Sequence, residues 1–356
     1  MKTRILSLLF GLCVLFSCST KKDEPTFIID PVYTFQGVYV LNNGAFQKNN
    51  ASVSLYDPET RNVTAGAFSA ANDGKPLGDT AQDMLAVGDE LYISVNVSKV
   101  VFVTDRNLKL KKSIVAKKGE TSLSPRYLCS GGGKVYVTYY EGYLGEIDPA
   151  TYEVRLTEVG PNPDAVVWCD GKLYTANSGG LQAGFNNTVS VVDPATFKET
   201  STITVNTDPT LLCAVGKKLF VFSFGDYAKP EVPAKVQCID TETTEVKDLS
   251  VEGTPMGIAT DGSRLYLLSG GYAADWSPLP GTVWTYNAAT LEREGKFITD
   301  DTALPKPYSL SVSKHYVAVG CSDYTNSGDV YLFDLATGKK AASFDSKGIN
   351  PLKIVE

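Results

Sequence analysis

A short motif recurs seven times along this chain of 356 residues, and its spacing constrains the fold more than any other feature. Each copy is an apolar-alternating segment, a turn residue and then Asp-Pro-x-Thr or a variant of it. The copies begin at Asp57, Asp105, Asp148, Asp193, Asp240, Asn287 and Asp334. A period of about 45 residues is typical of β-propellers, in which each repeat forms one four-stranded blade.

The apolar segments favour strands over helices. Residues 91–95 (LYISV) and 135–138 (VYVT) alternate with period two, whereas a helical solenoid of similar repeat length needs apolar positions spaced by 3.6 residues. Within a copy, a proline opens the predicted inner strand, as at Pro125 and Pro209, and an aromatic residue follows eleven positions later, as at Tyr136 and Phe220. Asp-Pro then predicts the turn that ends the third strand.

The two ends of the repeat region complement each other. Residues 37–40 resemble a second strand that has no inner strand before it, and residues 349–355 resemble an inner strand with no blade after it. We therefore expect the C-terminal strand to pair beside the N-terminal strands and close the ring, because closure removes exposed sheet edges. The sequence predicts an all-β, seven-bladed β-propeller over residues 35–356, without a second domain.

The N-terminus has the features of an export signal. Lys2 and Arg4 precede a short apolar run, too short to span a bilayer, and this predicts a signal peptide over residues 1–17. The run ends at residues 15–18 (LFSC), which resemble the lipobox of bacterial lipoproteins, with Cys18 as the acylated residue. We expect residues 18–34 to be a lipid-anchored linker. Residues 22–24 (KDE) are similar to surface-export signals, or are simply a solvated linker.

Composition excludes some function classes. The 33 basic residues are outnumbered by 40 acidic ones without any basic block, so nucleic acid is not an expected partner. Five cysteines remain beyond the N-terminal segment, with no C-x-x-C pair, and we expect them to be buried thiols.

Long loops mark one expected ligand face. The predicted second-to-third strand loops are long at residues 42–52, 177–188, 223–235, 269–282 and 320–329. Long structureless loops are often functional, and these are rich in aromatic, Asn, Gly and Ser residues. Residues just after the opening prolines, including Thr210, should surround the channel mouth. The predicted ligand-binding residues are Phe46, Gln82, Arg126, Tyr140, Asp164, Phe185, Tyr227, Tyr272, Trp276 and Tyr324.

A simpler interpretation remains open for the aromatic loop residues and for the polar residues at the channel mouth. The aromatic residues either contact a ligand or pack against their own loops. The polar residues at the mouth either bind a ligand or bond one another and water.

Catalytic motifs are weak. The chain has one histidine, His315, which we expect inside a strand, and no Gly-x-Ser-x-Gly elbow. Asp323 and its neighbours only faintly resemble a calcium loop. We therefore expect no catalytic residues, no metal site and no cofactor, and we predict that the protein is not an enzyme.

The repeats also carry a family resemblance. Residues 35–356 resemble YVTN-type seven-bladed propellers of bacterial envelope proteins. Residues 37–44 (GVYVLNNG), 49–57 (NNASVSLYD) and 78–84 (GDTAQDM) are similar to lipoprotein propellers of Gram-negative gut bacteria, some of which capture cobalamin at the cell surface and cap a TonB-dependent transporter.

This resemblance implies an outer-membrane, lipid-anchored protein that faces the cell exterior. It would bind a ligand such as cobalamin and pass it to a transporter. A protein-interaction scaffold in the cell envelope is the alternative, and a lactonase-like or quinone-dependent propeller enzyme is the less favoured one.

Overall fold

A computed structural model describes residues 37–180, 185–271 and 279–356 of the chain. Within these residues it confirms the predicted architecture of seven antiparallel, four-stranded blades. The predicted signal peptide, Cys18 and the whole predicted linker precede the described residues. No helix in the described part is long and apolar enough to cross a membrane.

The strands alternate in direction through each blade, and the last strand of the chain completes the first blade. Blade one begins with β1 (Val38–Asn42), β2 (Ser52–Tyr56) and β3 (Val63–Thr64), followed by the short helix α1 (Ala67–Ala71). Blade two contains β4 (Ala81–Val87), β5 (Glu90–Val95), β6 (Val100–Asp105) and β7 (Leu110–Ile114), and a small hairpin follows it, made of β8 (Lys117–Lys118) and β9 (Thr121–Ser122). Blade three contains β10 (Pro125–Gly131), β11 (Lys134–Tyr139), β12 (Tyr143–Ile147) and β13 (Val154–Glu158).

The remaining blades repeat the same order. Blade four contains β14 (Pro163–Cys169), β15 (Lys172–Asn177), β16 (Thr188–Asp193) and β17 (Lys198–Thr204). Blade five contains β18 (Pro209–Val215), β19 (Lys218–Ser223), β20 (Lys235–Asp240) and β21 (Val246–Asp248). Blade six contains β22 (Pro255–Thr260), β23 (Arg264–Ser269), β24 (Thr282–Asn287) and β25 (Arg293–Lys296). Blade seven contains β26 (Pro307–Val312), β27 (Tyr316–Cys321), β28 (Ser327–Asp334) and β29 (Lys340–Ile349), and β30 (Pro351–Val355) returns to blade one.

The ring closes as the two chain ends predicted. Strand β30 pairs antiparallel with β1, with Val40 opposite Ile354, so the sheet order of blade one is β3-β2-β1-β30. Ile354 is buried against Val38 and Val40 of its own blade and against Leu332 of blade seven. Closure therefore buries apolar side chains across a blade boundary as well as pairing the edge of β1.

The apolar core lies between neighbouring blades. One cluster joins Tyr92 and Val101 of blade two to Val135 and Val137 of blade three, and similar clusters follow around the ring. The aromatic residues predicted on second strands, Tyr136, Tyr174, Phe220 and Tyr266, are all buried in such clusters. Each blade thus depends on its neighbours to cover both of its faces.

The Asp-Pro turns end the third strands through local hydrogen bonds. In blade three, the Asp148 carboxylate accepts the Ala150 N–H at 2.8 Å, and the Tyr152 N–H returns to the Asp148 carbonyl at 2.7 Å. Tyr152 has φ of 60°, a left-handed conformation that glycine adopts without strain, and Gly338 occupies the same turn position in blade seven. These turns lie on the face opposite the second-to-third strand loops, because successive strands run in opposite directions.

Three expectations can be compared directly with the structure. The five cysteines of the propeller are buried free thiols, as predicted. His315 was wrongly expected inside a strand: it lies in the turn between β26 and β27, where its Nδ1 is 2.9 Å from Glu356 Oε1. The loop expected over residues 320–329 is shorter, because β27 continues to Cys321 and β28 begins at Ser327.

Candidate functional site

The channel mouth is lined by one repeated position, the residue just after the start of each inner strand. In order from blade two around to blade one, these residues are Gln82, Arg126, Asp164, Thr210, Met256, Tyr308 and Leu352. All except Asp164 line a cavity of about 530 Å³ within the ring. The second-to-third strand loops surround the same opening, since these loops and the starts of the inner strands lie at the same end of every blade.

The chemistry of this position changes around the ring. Blades two to four contribute Gln82, Arg126 and Asp164, which are polar or charged, whereas blades six, seven and one contribute Met256, Tyr308 and Leu352. The mouth therefore has a polar side and a mainly apolar side, which suits a ligand that carries both kinds of surface.

Arg126 organises the polar side. Its Nε donates to Asp164 Oδ1 at 2.6 Å, its Nη2 donates to the same oxygen, and its Nη1 donates to Gln82 Oε1 at 3.1 Å. The guanidinium also lies 5.6 Å from the ring centre of Tyr140 and 6.0 Å from that of Tyr127. Three of the predicted site residues thus bond one another, as the simpler interpretation held, and Tyr140 packs on the same group.

A second carboxylate in this region, Asp83, also has protein partners. Its oxygens accept the backbone N–H groups of Leu128 and Met84, both at 2.9 Å, and Lys353 Nζ from β30 lies 3.6 Å away. Asp83 and Lys353 both line the cavity. This carboxylate therefore joins the inner strands of blades two, three and one.

Asp208, directly before the inner strand of blade five, is different. It retains 9% of its exposed area, and its carboxylate accepts one long hydrogen bond, 3.5 Å from Thr210 Oγ1. Burial raises the pKa of Asp208 to about 6; the nearby Asp164 carboxylate raises it further, whereas Thr210 and the Arg126 charge oppose the increase. Asp208 is thus the poorly partnered acid of the mouth.

Aromatic residues from blades five and seven lie on the less polar side. Tyr324 meets Tyr308 edge to face at 5.5 Å between ring centres, and Tyr227 lies 6.1 Å from Phe224, which lines the cavity. Tyr227 and Tyr324 are 77% and 55% exposed, so a large part of each ring remains available for contact. Burial and the neighbouring Asp208 carboxylate raise the pKa of Tyr227.

The other predicted aromatic residues are placed differently. Phe46 is 66% exposed on the blade-one loop, which Asp79 holds by accepting the N–H groups of Gln47 and Asn49 at 3.1 and 3.0 Å. Phe185 is half-buried on the blade-four loop. Tyr272 and Trp276 lie outside the described residues.

Sequence reasoning missed Asp208, Phe224 and Tyr308. Tyr308 follows Pro307, so the repeat register that selected Arg126 and Asp164 would also have found it. Asp208 and Phe224 had no comparable signal, because their importance comes from loops that meet only in the folded ring. Among the described residues, no group of three or more His, Cys, Asp and Glu is arranged to hold a metal ion.

Comparison with known proteins agrees with the fold and does not identify a ligand. The family model described as "Domain of unknown function (DUF5074)" matches residues 36–122, which cover the first strands of blade one, all of blade two and the hairpin after it. No curated protein matches the chain.

Solved propellers are similar in structure at low sequence identity. The hydrazine synthase of Kuenenia stuttgartiensis is 16% identical, with a TM-score of 0.55 over 70% of this chain and 74% of that one. The computationally designed Ika8 protein is 14% identical, with a TM-score of 0.56 over 90% and 92%. The dihydro-heme d1 dehydrogenase NirN, in complex with DHE, is 11% identical, with a TM-score of 0.55 over 88% and 67%. Such likeness shows the propeller fold alone.

Proposed function

We propose that this protein is a lipid-anchored propeller of the outer membrane that binds a ligand at its channel mouth, without transforming it, and passes it to a transporter. The observation that supports binding is the two-sided mouth. Gln82 and Arg126, the latter held by Asp164, line one side of the cavity with polar groups, and Tyr227 and Tyr324 expose aromatic rings on the other.

Cobalamin is our specific proposal for the ligand. It is supported by the resemblance of residues 37–44, 49–57 and 78–84 to cobalamin-capturing lipoproteins. Its chemistry also suits the site, because it is a large molecule with a broad apolar ring surface and a periphery of amide groups. Amide groups find donors and acceptors on the Arg126 side, and the ring surface finds aromatic contacts on the other.

Titration of the purified propeller with cyanocobalamin, followed by calorimetry and by the absorption of the ligand, tests this proposal. We expect binding at micromolar concentration or below, weakened by Tyr227→Ala and Tyr324→Ala. Asp193→Asn is the matched control, because it lies in a turn on the opposite face and blade six has Asn287 at that position. Absence of binding at micromolar concentration would reject cobalamin as the ligand.

The lipid anchor is tested separately. If Cys18 is acylated, the full chain expressed with its N-terminal segment should fractionate with membranes, and Cys18→Ala should release it. Equal membrane association of both proteins would reject Cys18 as the anchor. Co-purification of a TonB-dependent transporter with the tagged, membrane-bound protein tests the proposed transfer of the ligand.

A protein-binding scaffold is the second candidate. Three large apolar side chains, Phe46, Tyr227 and Tyr324, are exposed on loops of this one face, and exposed aromatic groups are common at protein interfaces. Capture of a transporter that persists without any small-molecule ligand, and that is lost when these residues are changed to alanine, would favour the scaffold over the ligand carrier.

A further inference from the structure

Three carboxylates occupy the mouth and upper channel, and two of them are fully engaged. Asp164 receives two donors from Arg126, and Asp83 receives two backbone N–H groups and faces Lys353. Asp208 is 9% exposed, yet within the described residues only Thr210 reaches its carboxylate, at 3.5 Å, and no Lys, Arg or His lies within 4.0 Å of it. A buried carboxylate with a single long hydrogen bond is costly to keep.

Two of the six equivalent positions in other blades carry asparagine and show what an amide does there; the other four are Thr80, Ser124, Thr254 and Lys306. Asn162 precedes Pro163 and donates to the Tyr140 carbonyl at 3.0 Å, and Asn350 precedes Pro351 and donates to the Gly44 carbonyl at 3.0 Å. Both amides therefore stabilise neighbouring loops. An ionised carboxylate has no proton to donate, so Asp208 cannot make the bond that Asn makes at this position. The backbone conformation is shared, with φ of 48°, 58° and 59° at Asn162, Asp208 and Asn350.

Asp208 lies beside the cavity, next to two residues that line it. Its backbone N–H donates to the Asn186 carbonyl at 2.9 Å, and its carbonyl accepts the Phe224 N–H at 3.0 Å, so it joins the loops of blades four and five. Thr210, its side-chain partner among the described residues, lines the cavity, and so does Phe224. The exposed ring of Tyr227 lies 6.1 Å from the ring of Phe224, the residue whose backbone N–H bonds the Asp208 carbonyl.

We propose that Asp208 is a ligand-recognition residue that accepts hydrogen bonds from an N–H group of the bound molecule, on the part of the mouth where Tyr227 packs on Phe224. The N–H group comes from a neutral amide or from a protonated amine, since both present the donors that Asp208 lacks. The inference rests on the proposed ligand-binding function and deepens it: an amide-bearing ligand such as cobalamin supplies the required group.

Titration with cyanocobalamin at pH 7.5 tests this assignment first. We expect Asp208→Asn to weaken binding by about tenfold, because a charged acceptor is replaced by a neutral amide oxygen that accepts more weakly. The dissociation constant of the control Asp193→Asn should stay within about twofold of that of the unchanged protein, because this residue makes no contact with the described residues of the proposed site. Tight binding by the unchanged protein and by Asp208→Asn alike would overturn the role of Asp208 while leaving the proposed function intact.

If the unchanged protein does not bind cyanocobalamin, the proposed ligand is wrong, and Asp208 is tested with small probes. Crystals of the unchanged protein and of Asp208→Asn are soaked in propionamide or in ethylammonium chloride. Density for a probe nitrogen within hydrogen-bond distance of the Asp208 carboxylate, and absent from the variant, supports the inference and separates the amide from the amine. No density for either probe, or the same density in both crystals, would overturn it.

Discussion

Arg126 of blade three donates through Nε to Asp164 of blade four at 2.6 Å, so the main charge pair of the mouth crosses a blade boundary. Both side chains are largely buried, 19% and 6% exposed. The acidic neighbour favours the charged guanidinium and raises the pKa of Arg126 against the effect of burial. The pair therefore fixes the orientation of Arg126 at the opening and connects two adjacent blades.

Removing the acidic partner should destabilise the ring. Asp164→Asn leaves a buried guanidinium without its counter-charge, and we expect the free energy of unfolding to fall by about 3 kcal/mol. Urea denaturation measures this loss. The control is Glu242→Gln, which breaks the exposed Lys217–Glu242 pair and should cost less than about 0.5 kcal/mol. Equal losses for the two variants would contradict the importance of the buried pair.

Shortening a buried side chain of the closing strand β30 should also destabilise the protein. Ile354 is 2% exposed and packs against blades one and seven, so Ile354→Ala should lower the free energy of unfolding by about 3 kcal/mol. Leu352→Ala, on the half-buried cavity side of the same strand, should cost about 1 kcal/mol or less, because less apolar area is lost. Thermal or urea unfolding compares the two, and a smaller effect at Ile354 than at Leu352 would argue against the closure.

The buried acid predicts a pH-dependent gain in stability. The folded-state pKa of Asp208, about 6, lies above the unfolded value of about 3.9, so the carboxyl destabilises the fold when ionised and ceases to do so as pH falls through 6 towards 4. Asp208→Asn should therefore raise the free energy of unfolding at pH 7.5 by about 1–2 kcal/mol and by almost nothing at pH 4. A gain that is the same at both pH values would show that charge is not its cause.

Two buried tyrosines should respond oppositely to loss of the hydroxyl. The Tyr139 hydroxyl has no hydrogen-bond partner among the described residues, so Tyr139→Phe should leave stability unchanged or raise it by up to about 1 kcal/mol. Tyr266 donates to Asp261 Oδ2 at 2.9 Å, and Tyr266→Phe should lower stability by about 1.5 kcal/mol. Calorimetric unfolding of both variants checks the difference, and a large loss at Tyr139 would reveal a partner for its hydroxyl.

Much of the fold could be predicted because its determinants are local and repeated. The alternation of apolar residues specifies strands, the turn that begins at Asp148 forms through bonds within five residues, and Pro163 begins an inner strand. The incomplete first and last repeats were sufficient to predict closure by β30. The predicted strand boundaries were wrong at two places. Strand β27 continues to Cys321, and His315 lies in the turn before that strand and not inside it.

The sequence by itself determined seven blades, their closure and the ring of residues after the opening prolines, because these follow from short-range periodicity. Only the tertiary structure decided which of those residues form hydrogen bonds and ion pairs with one another. Asp164 and Asp208 both flank an opening proline and look alike in the sequence. Arg126 neutralises Asp164, whereas Thr210 is the single side chain in the described part of the chain that bonds the Asp208 carboxylate. Arg126 and Asp164 are 38 positions apart, and their pairing depends on how adjacent blades pack, which no local pattern encodes.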